Sequence, residues 1–243
     1  MFGGYQLLQT LSMDEVDSRL GQQAALWQEM KKDGLDHRIH VEFADFQKME
    51  FFKLFEKHVV RHSNSLGMNE QEMMMLLDHW NGKADLQVRD SKPSFQDILS
   101  QIDEFFKKQK ERGYDINRIH LHPYGSFFMC YDKSKWNSAK DALLKSALVV
   151  PKYCKSGPFR DSQHVSEEEL LNFETGEMPE YFINPSKPHE KIHVSRDKLD
   201  YSFDLSDDIH CDLQFFVKCK KVFKTAGMGD TISGTGFIYH TPK

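Results

Sequence analysis

What this 243-residue chain lacks bounds its class before any motif is considered. No apolar run approaches the ~20 residues that a membrane-spanning helix needs. The N-terminus lacks a basic region followed by a hydrophobic one, so no targeting signal is visible. Cations are not in excess: Lys and Arg number 32 against 37 Asp and Glu, a formal charge of −5, which gives no footprint for a nucleic-acid partner. The four cysteines, Cys130, Cys154, Cys211 and Cys219, are too few and too scattered for a disulfide scaffold or a zinc site. One bridge stays open, so cysteine usage leaves the redox compartment open too. Internal repeats and low-complexity tracts are also missing. What remains is the composition of an ordinary globular protein, 39% hydrophobic and 28% charged, with chain enough for one large domain or two small ones.

Periodicity lays out the elements. Residues 13–33 are predicted helical, with Met13, Val16, Leu20, Ala24 and Leu26 apolar, Lys31 and Lys32 late, and Gly34 as the stop. The β-branched run 38–44 predicts a buried strand on which His40 and Glu42, two apart, face one side. A carboxylate at a strand's C-terminal end stands where open α/β sheets keep their ligands, although a solvated face or a local ion pair leaves the same trace. A helix is predicted over 46–62, then a brief strand, a turn at Gly67 and a helix opening at Asn69. Asn69 and Glu72 have capping-box spacing; with Glu70 they crowd oxygens of the kind that suit Mg²⁺ through its waters. Met73, Met74 and Met75 read as core.

Trp80 to Lys83 reads as a loop, and Ser94 caps a helix to about Arg112. The strand from Arg118 places His120 and His122 on one face, as buried histidines or as rings that stack on a ligand base, and then enters a Pro/Gly loop. Residues 138–150 are predicted helical, 154–178 loop with a short surface helix, and the segments at 181, 191 and 201 a small antiparallel patch. Helix between short strands, repeated, predicts a three-layer α/β/α sandwich with a mostly parallel central sheet.

The last twenty residues organise the rest. They read as extended chain, a glycine turn, and the start of an apolar helix, with Gly227 and Gly229 bracketing Met228 and Asp230 following. Glycines there let a ligand approach the backbone closely. The free amides and dipole of a helix start make an anion site. An aspartate at its mouth can take the proton from an attacking hydroxyl while the amides hold developing phosphate charge. The same spacing also fits a plain turn with Asp230 as N-cap.

Four stretches occur together: His40-Val-Glu42, Leu66-Gly-Met-Asn-Glu-Gln-Glu72, Arg118-Ile-His-Leu-His122 and Ala226-Gly-Met-Gly-Asp-Thr-Ile-Ser233. In this order they resemble the ADP-dependent glucokinase and phosphofructokinase family of the ribokinase-like kinases. The resemblance implies a Mg²⁺-dependent transfer of the β-phosphoryl of ADP to the 6-hydroxyl of glucose, a glycolytic reaction yielding glucose 6-phosphate and AMP. It implies Asp230 as catalytic base and the amides of Gly227 and Gly229 as the anion hole. Glu42 and Glu72 would hold Mg²⁺ largely through water, with Asp230 near the same ion. Asn69, His120, His122 and Met228 would lie on the nucleotide side. The pattern departs from the family at Pro123, where threonine is usual. Residues 1–243 are expected to be the C-terminal part of the large nucleotide-binding domain without its lid, and a monomer. The family suggests the endoplasmic reticulum lumen or secretion, and the cytoplasm for a form without a signal. A catalytically incomplete variant that binds nucleotide or partners is the alternative expectation.

Overall fold

Three helices open on side chains that close a capping box: Ser12 with Glu15 before α1 (Met13–Met30), Asn69 with Glu72 before α3 (Glu70–Trp80), and Ser94 with Asp97 before α4 (Phe95–Glu111). Each box satisfies amide donors that a helix start leaves orphaned, which is why these boundaries follow from local sequence. The structure is a computed structural model describing residues 1–44, 46–83, 93–123, 125–149, 173–175, 178–215, 217–219 and 228–243. Two compact units divide it, Met1–Ile119 and His120–Lys243.

In the first unit β1 (His40–Glu42) runs parallel to β2 (Ser65–Met68), and β3 (Arg118–Leu121) is next in order. Phe2 lies extended and parallel beside Val41, and Gly4, at φ 76°, turns the chain into a short 3-10 helix, Tyr5–Thr10. Helix α2 (Met49–His58) presses Phe51, Phe52 and Phe55 onto Phe43 and Phe46, all fully or nearly buried. Their rings meet at 4.6–6.5 Å in mostly tilted and edge-on pairs, which adds a modest term to a large area burial.

Several boundaries differ from the sequence expectation. Phe46 contributes its ring from the segment before α2, so that helix starts at Met49. Gly67 is a strand residue paired with Glu42, not a turn. Trp80 closes α3 and is buried rather than looped out; Trp27 takes the buried position in α1, leaving Leu26 at 61% exposure. Met73 and Met74 are core, as expected.

One buried carboxylate ties α2 to α3 and to the end of α4. Glu56 of α2 accepts from Trp80 Nε1 at 2.8 Å, Tyr114 Oη at 2.8 Å, Arg112 Nη2 at 3.0 Å and His79 Nε2 at 3.0 Å. Burial pushes its pKa up, but the bonds from His79, Tyr114, Arg112 and Trp80 outweigh burial and hold it at about 2.

The second unit centres on an antiparallel set: β4 (Ser126–Asp132), β9 (Ile209–Phe215) and β8 (Asp200–Asp204). β4 escapes periodicity because six of its seven residues are buried, so it carries no polar alternation. Helix α5 (Lys140–Ala147) and the final helix α6 (Met228–Tyr239) complete the unit with two short pairs, β5 (Phe173–Thr175) with β10 (Val217–Cys219) and β6 (Tyr181–Ile183) with β7 (Lys191–His193). The loop and surface helix expected at 154–178 lie mostly outside the described residues. Asp212 of β9 collects the Ala139 amide at 2.7 Å, Tyr131 Oη at 2.9 Å and Ser202 Oγ at 2.5 Å, joining α5, β4 and β8. Burial raises its pKa, and His210, Ser202, Ala139 and Tyr131 reverse that to about 2.

Cys130 and Cys211 stand opposite each other on β4 and β9, fully buried, with Cα atoms 4.1 Å apart, and form a disulfide across 81 residues of sequence. Cross-linking so long a loop removes entropy from the unfolded chain. Reduction, or Cys130→Ser with Cys211→Ser, should therefore cost about 2–5 kcal/mol. Thermal melts with and without reductant check this, and an unchanged Tm would remove the bridge from the account.

Candidate functional site

The first unit carries one group of polar side chains inside its sheet. His40 and Glu42 face one side of β1, and both are buried. His40 Nδ1 lies 2.9 Å from Ser65 Oγ on β2, and Arg118 Nη1 donates to the same oxygen at 2.6 Å. Arg118 is fully buried; burial pushes its pKa down to about 9, and the negative charge of Glu42 pushes it back up. It therefore stays a cation near neutrality. Glu42 thus has a cationic neighbour in the sheet, part of the local-ion-pair role the sequence left open.

Glu42 ends β1, and its register partner Gly67 lies two residues before Asn69. The α3 cap is therefore at the neighbouring strand end, with Asn69 Oδ1 accepting from the Gln71 and Glu72 amides at 2.9 Å and Glu72 Oε2 accepting from the Asn69 amide at 2.8 Å. These two strand ends gather Glu42, Asn69, Glu70 and Glu72 on the carboxyl side of parallel strands, where open sheets bind ligands. The donor set is hard oxygen, which fits Mg²⁺ through water. Among the described residues no group of three or more His, Cys, Asp and Glu is arranged to hold a metal ion directly.

The second unit carries Asp230. It is the third residue of α6, in the first turn and half-buried, and so is not the N-cap that the plain-turn alternative would make it. Gly229 is the second helical residue; Gly227 and the side chain of Met228 lie outside the described residues. A twelve-residue helix opening at this glycine-rich point carries the positive end of its dipole there. His120 is fully buried, edge-on to Phe127 at 5.8 Å and to the partly exposed His122 at 6.1 Å. Sequence reasoning missed Ser65, the role of Arg118 and the close approach at Gly236. A charged residue opening a short strand with apolar Ile119 and Leu121 was the one available signal for Arg118.

The profile of the ADP-specific phosphofructokinase/glucokinase conserved region matches residues 1–239. The chain belongs to this family. It is 26% identical over 215 residues to the ADP-dependent glucokinase of Bos taurus, a match over 83% of this chain and 40% of that protein. A probable ADP-dependent glucokinase of Caenorhabditis elegans is 22% identical, with 83% and 41% covered. Among solved structures, an ADP-dependent kinase in complex with fructose 6-phosphate and ADPβS superposes with a TM-score of 0.63 at 19% identity, over 97% of this chain and 52% of that one. A Pyrococcus horikoshii phosphofructokinase with AMP gives 0.60 at 16% identity, with 98% and 49% covered. The family fold is thus the expected one, α/β with a mixed, mostly parallel sheet flanked by helices. The chain spans about two fifths of the length of these curated relatives.

Proposed function

We propose that this chain supplies the phosphoryl-transfer end of an ADP-dependent sugar kinase, moving the β-phosphoryl of ADP to the 6-hydroxyl of glucose to give glucose 6-phosphate and AMP. The observation that carries the proposal is the half-buried Asp230 in the first turn of a glycine-opened helix within a chain of this family. Asp230 takes the hydroxyl proton, and the helix-start amides around Gly227 and Gly229 hold the charge that develops on the phosphoryl group. Asn69, His122 and Met228 are assigned to the nucleotide side, and the fully buried His120 to a supporting place behind it. Glu42 and Glu72 would hold Mg²⁺ through water, and there it would neutralise diphosphate charge. Little covalent work falls to the protein, so most of the rate comes from placing hydroxyl and diphosphate in line. The preference for glucose is supported by the bovine and nematode relatives.

The Cys130–Cys211 bridge supports maturation in an oxidising compartment, since buried structural disulfides persist there and not among cytosolic thiols. Non-reducing peptide mapping of the protein from its native source should recover the bridged pair; free thiols would reject that compartment.

The alternative reading is a nucleotide-binding chain without turnover. Calorimetry with Mg–ADP beside a coupled glucose 6-phosphate assay separates them. Binding with turnover supports the kinase, binding without turnover supports the second reading, and neither in a folded chain rejects both.

A further inference from the structure

A tight contact lies on α6 six residues beyond Asp230, about 9 Å along the helix and roughly 120° around it. A Cβ atom built on Gly236 would fall 2.8 Å from His120 Nδ1, 2.9 Å from His120 Cε1 and 2.8 Å from Ser146 Oγ. Neither neighbour is a flexible surface tip, because both residues are fully buried. Ser146 Oγ, on α5, is 3.1 Å from the Ile232 carbonyl of α6 and 3.0 Å from the Ala142 carbonyl of its own helix. The His120 ring is wedged edge-on against Phe127. Ile232 and Ser233, on the same buried side of α6, and His240 just beyond its end are buried too, which leaves the helix little room to lift.

We propose that the contact of Gly236 with His120 and Ser146 is a positioning lock for α6, setting how deeply the helix sits and hence where its first turn carries Asp230. This rests on the reading of Asp230 as the catalytic base. A helix is stiff over two turns, so a lift at Gly236 displaces the first turn as well. Groups that work on a reacting centre must be held to within about 0.5 Å, and a 1 Å misplacement can cost about 10²-fold. Gly236, His120 and Ser146 are positioning residues in this account.

The test compares Gly236→Ala, His120→Ala and the double variant by thermal melts, by the ¹⁵N amide shifts of Gly229 to Thr231, and by kcat at saturating ADP. Gly236→Ala is expected to lower Tm by about 5 °C, to move those amides and to cut kcat by up to about 10²-fold. KM for glucose should change far less than kcat. Removing the ring makes room for the methyl group, so the double variant should return the amide shifts toward the wild type and lose less activity than the product of the two single losses. Unmoved amides in Gly236→Ala, or losses that simply multiply, overturn the lock. Amides that move and return while kcat does not follow leave the lock standing and count against Asp230 as base.

Discussion

Asp230→Asn should lower kcat by about 10²-fold or more while leaving Tm and the affinity for Mg–ADP close to wild type. The substitution keeps shape and a side-chain oxygen, and asparagine is well tolerated at helix starts. What changes is one negative charge in the first turn of α6, worth about 0.3–1 kcal/mol of helix stability. Loss of a general base acts on the reaction and not on the fold, so kcat and Tm should part company. Steady-state kinetics beside a melt read both. Equal losses in the two would mark Asp230 as a structural residue of the helix start, and an unchanged kcat would remove it from the chemistry.

Glu56→Ala should lower Tm by about 10 °C or more. The carboxylate takes bonds from Trp80, Tyr114, Arg112 and His79, at 2.8–3.0 Å for its best four contacts. Removing it leaves a buried indole N–H, and a half-buried guanidinium and phenol beside it, without their acceptor. Breaking such a group from one side costs about 3–5 kcal/mol, more than the hydrophobic stem of alanine returns. Glu56→Gln should cost less, because the one oxygen that Trp80, Tyr114 and Arg112 share can remain, while the amide N–H₂ replaces the oxygen that faces His79 and the charge is lost. The pH dependence has a definite sign. The folded pKa of about 2 lies below the ordinary 4.5, so the stabilisation is fully present above about 4.5 and is lost as pH falls toward 2. The gap in stability between wild type and Glu56→Gln should therefore close over that range. A gap independent of pH from 7 down to 2 would contradict the assigned charge.

How much was legible follows from the range of each interaction. The caps at Asn69 and Ser94 were readable because donor and acceptor lie three residues apart. The turns at Gly4 and Gly34, both at positive φ, were readable for the same reason, whereas Gly67, read as a turn, is a strand residue. β4 was not, since burial of nearly the whole strand erases the alternation that marks a strand beside solvent. Nor was the end of α3, because Trp80 is held inside by Glu56, twenty-four residues away. The site divides the same way. Glu42, Asn69, Glu72 and Asp230 announce themselves in short motifs. Arg118 and Ser65, which meet inside the sheet across 53 residues, and Gly236, which matters only for what lies against it, do not. Short motifs name the candidate groups, while the residues packed around them are scattered by topology.

The most direct measurement is the ³¹P spectrum of ADP incubated with glucose, Mg²⁺ and the purified 243-residue chain. The account predicts that the ADP resonances give way to equal amounts of AMP and glucose 6-phosphate with the wild type and persist with Asp230→Asn. ADP unchanged by a chain whose melt shows it folded, or the same conversion by both proteins, would contradict it.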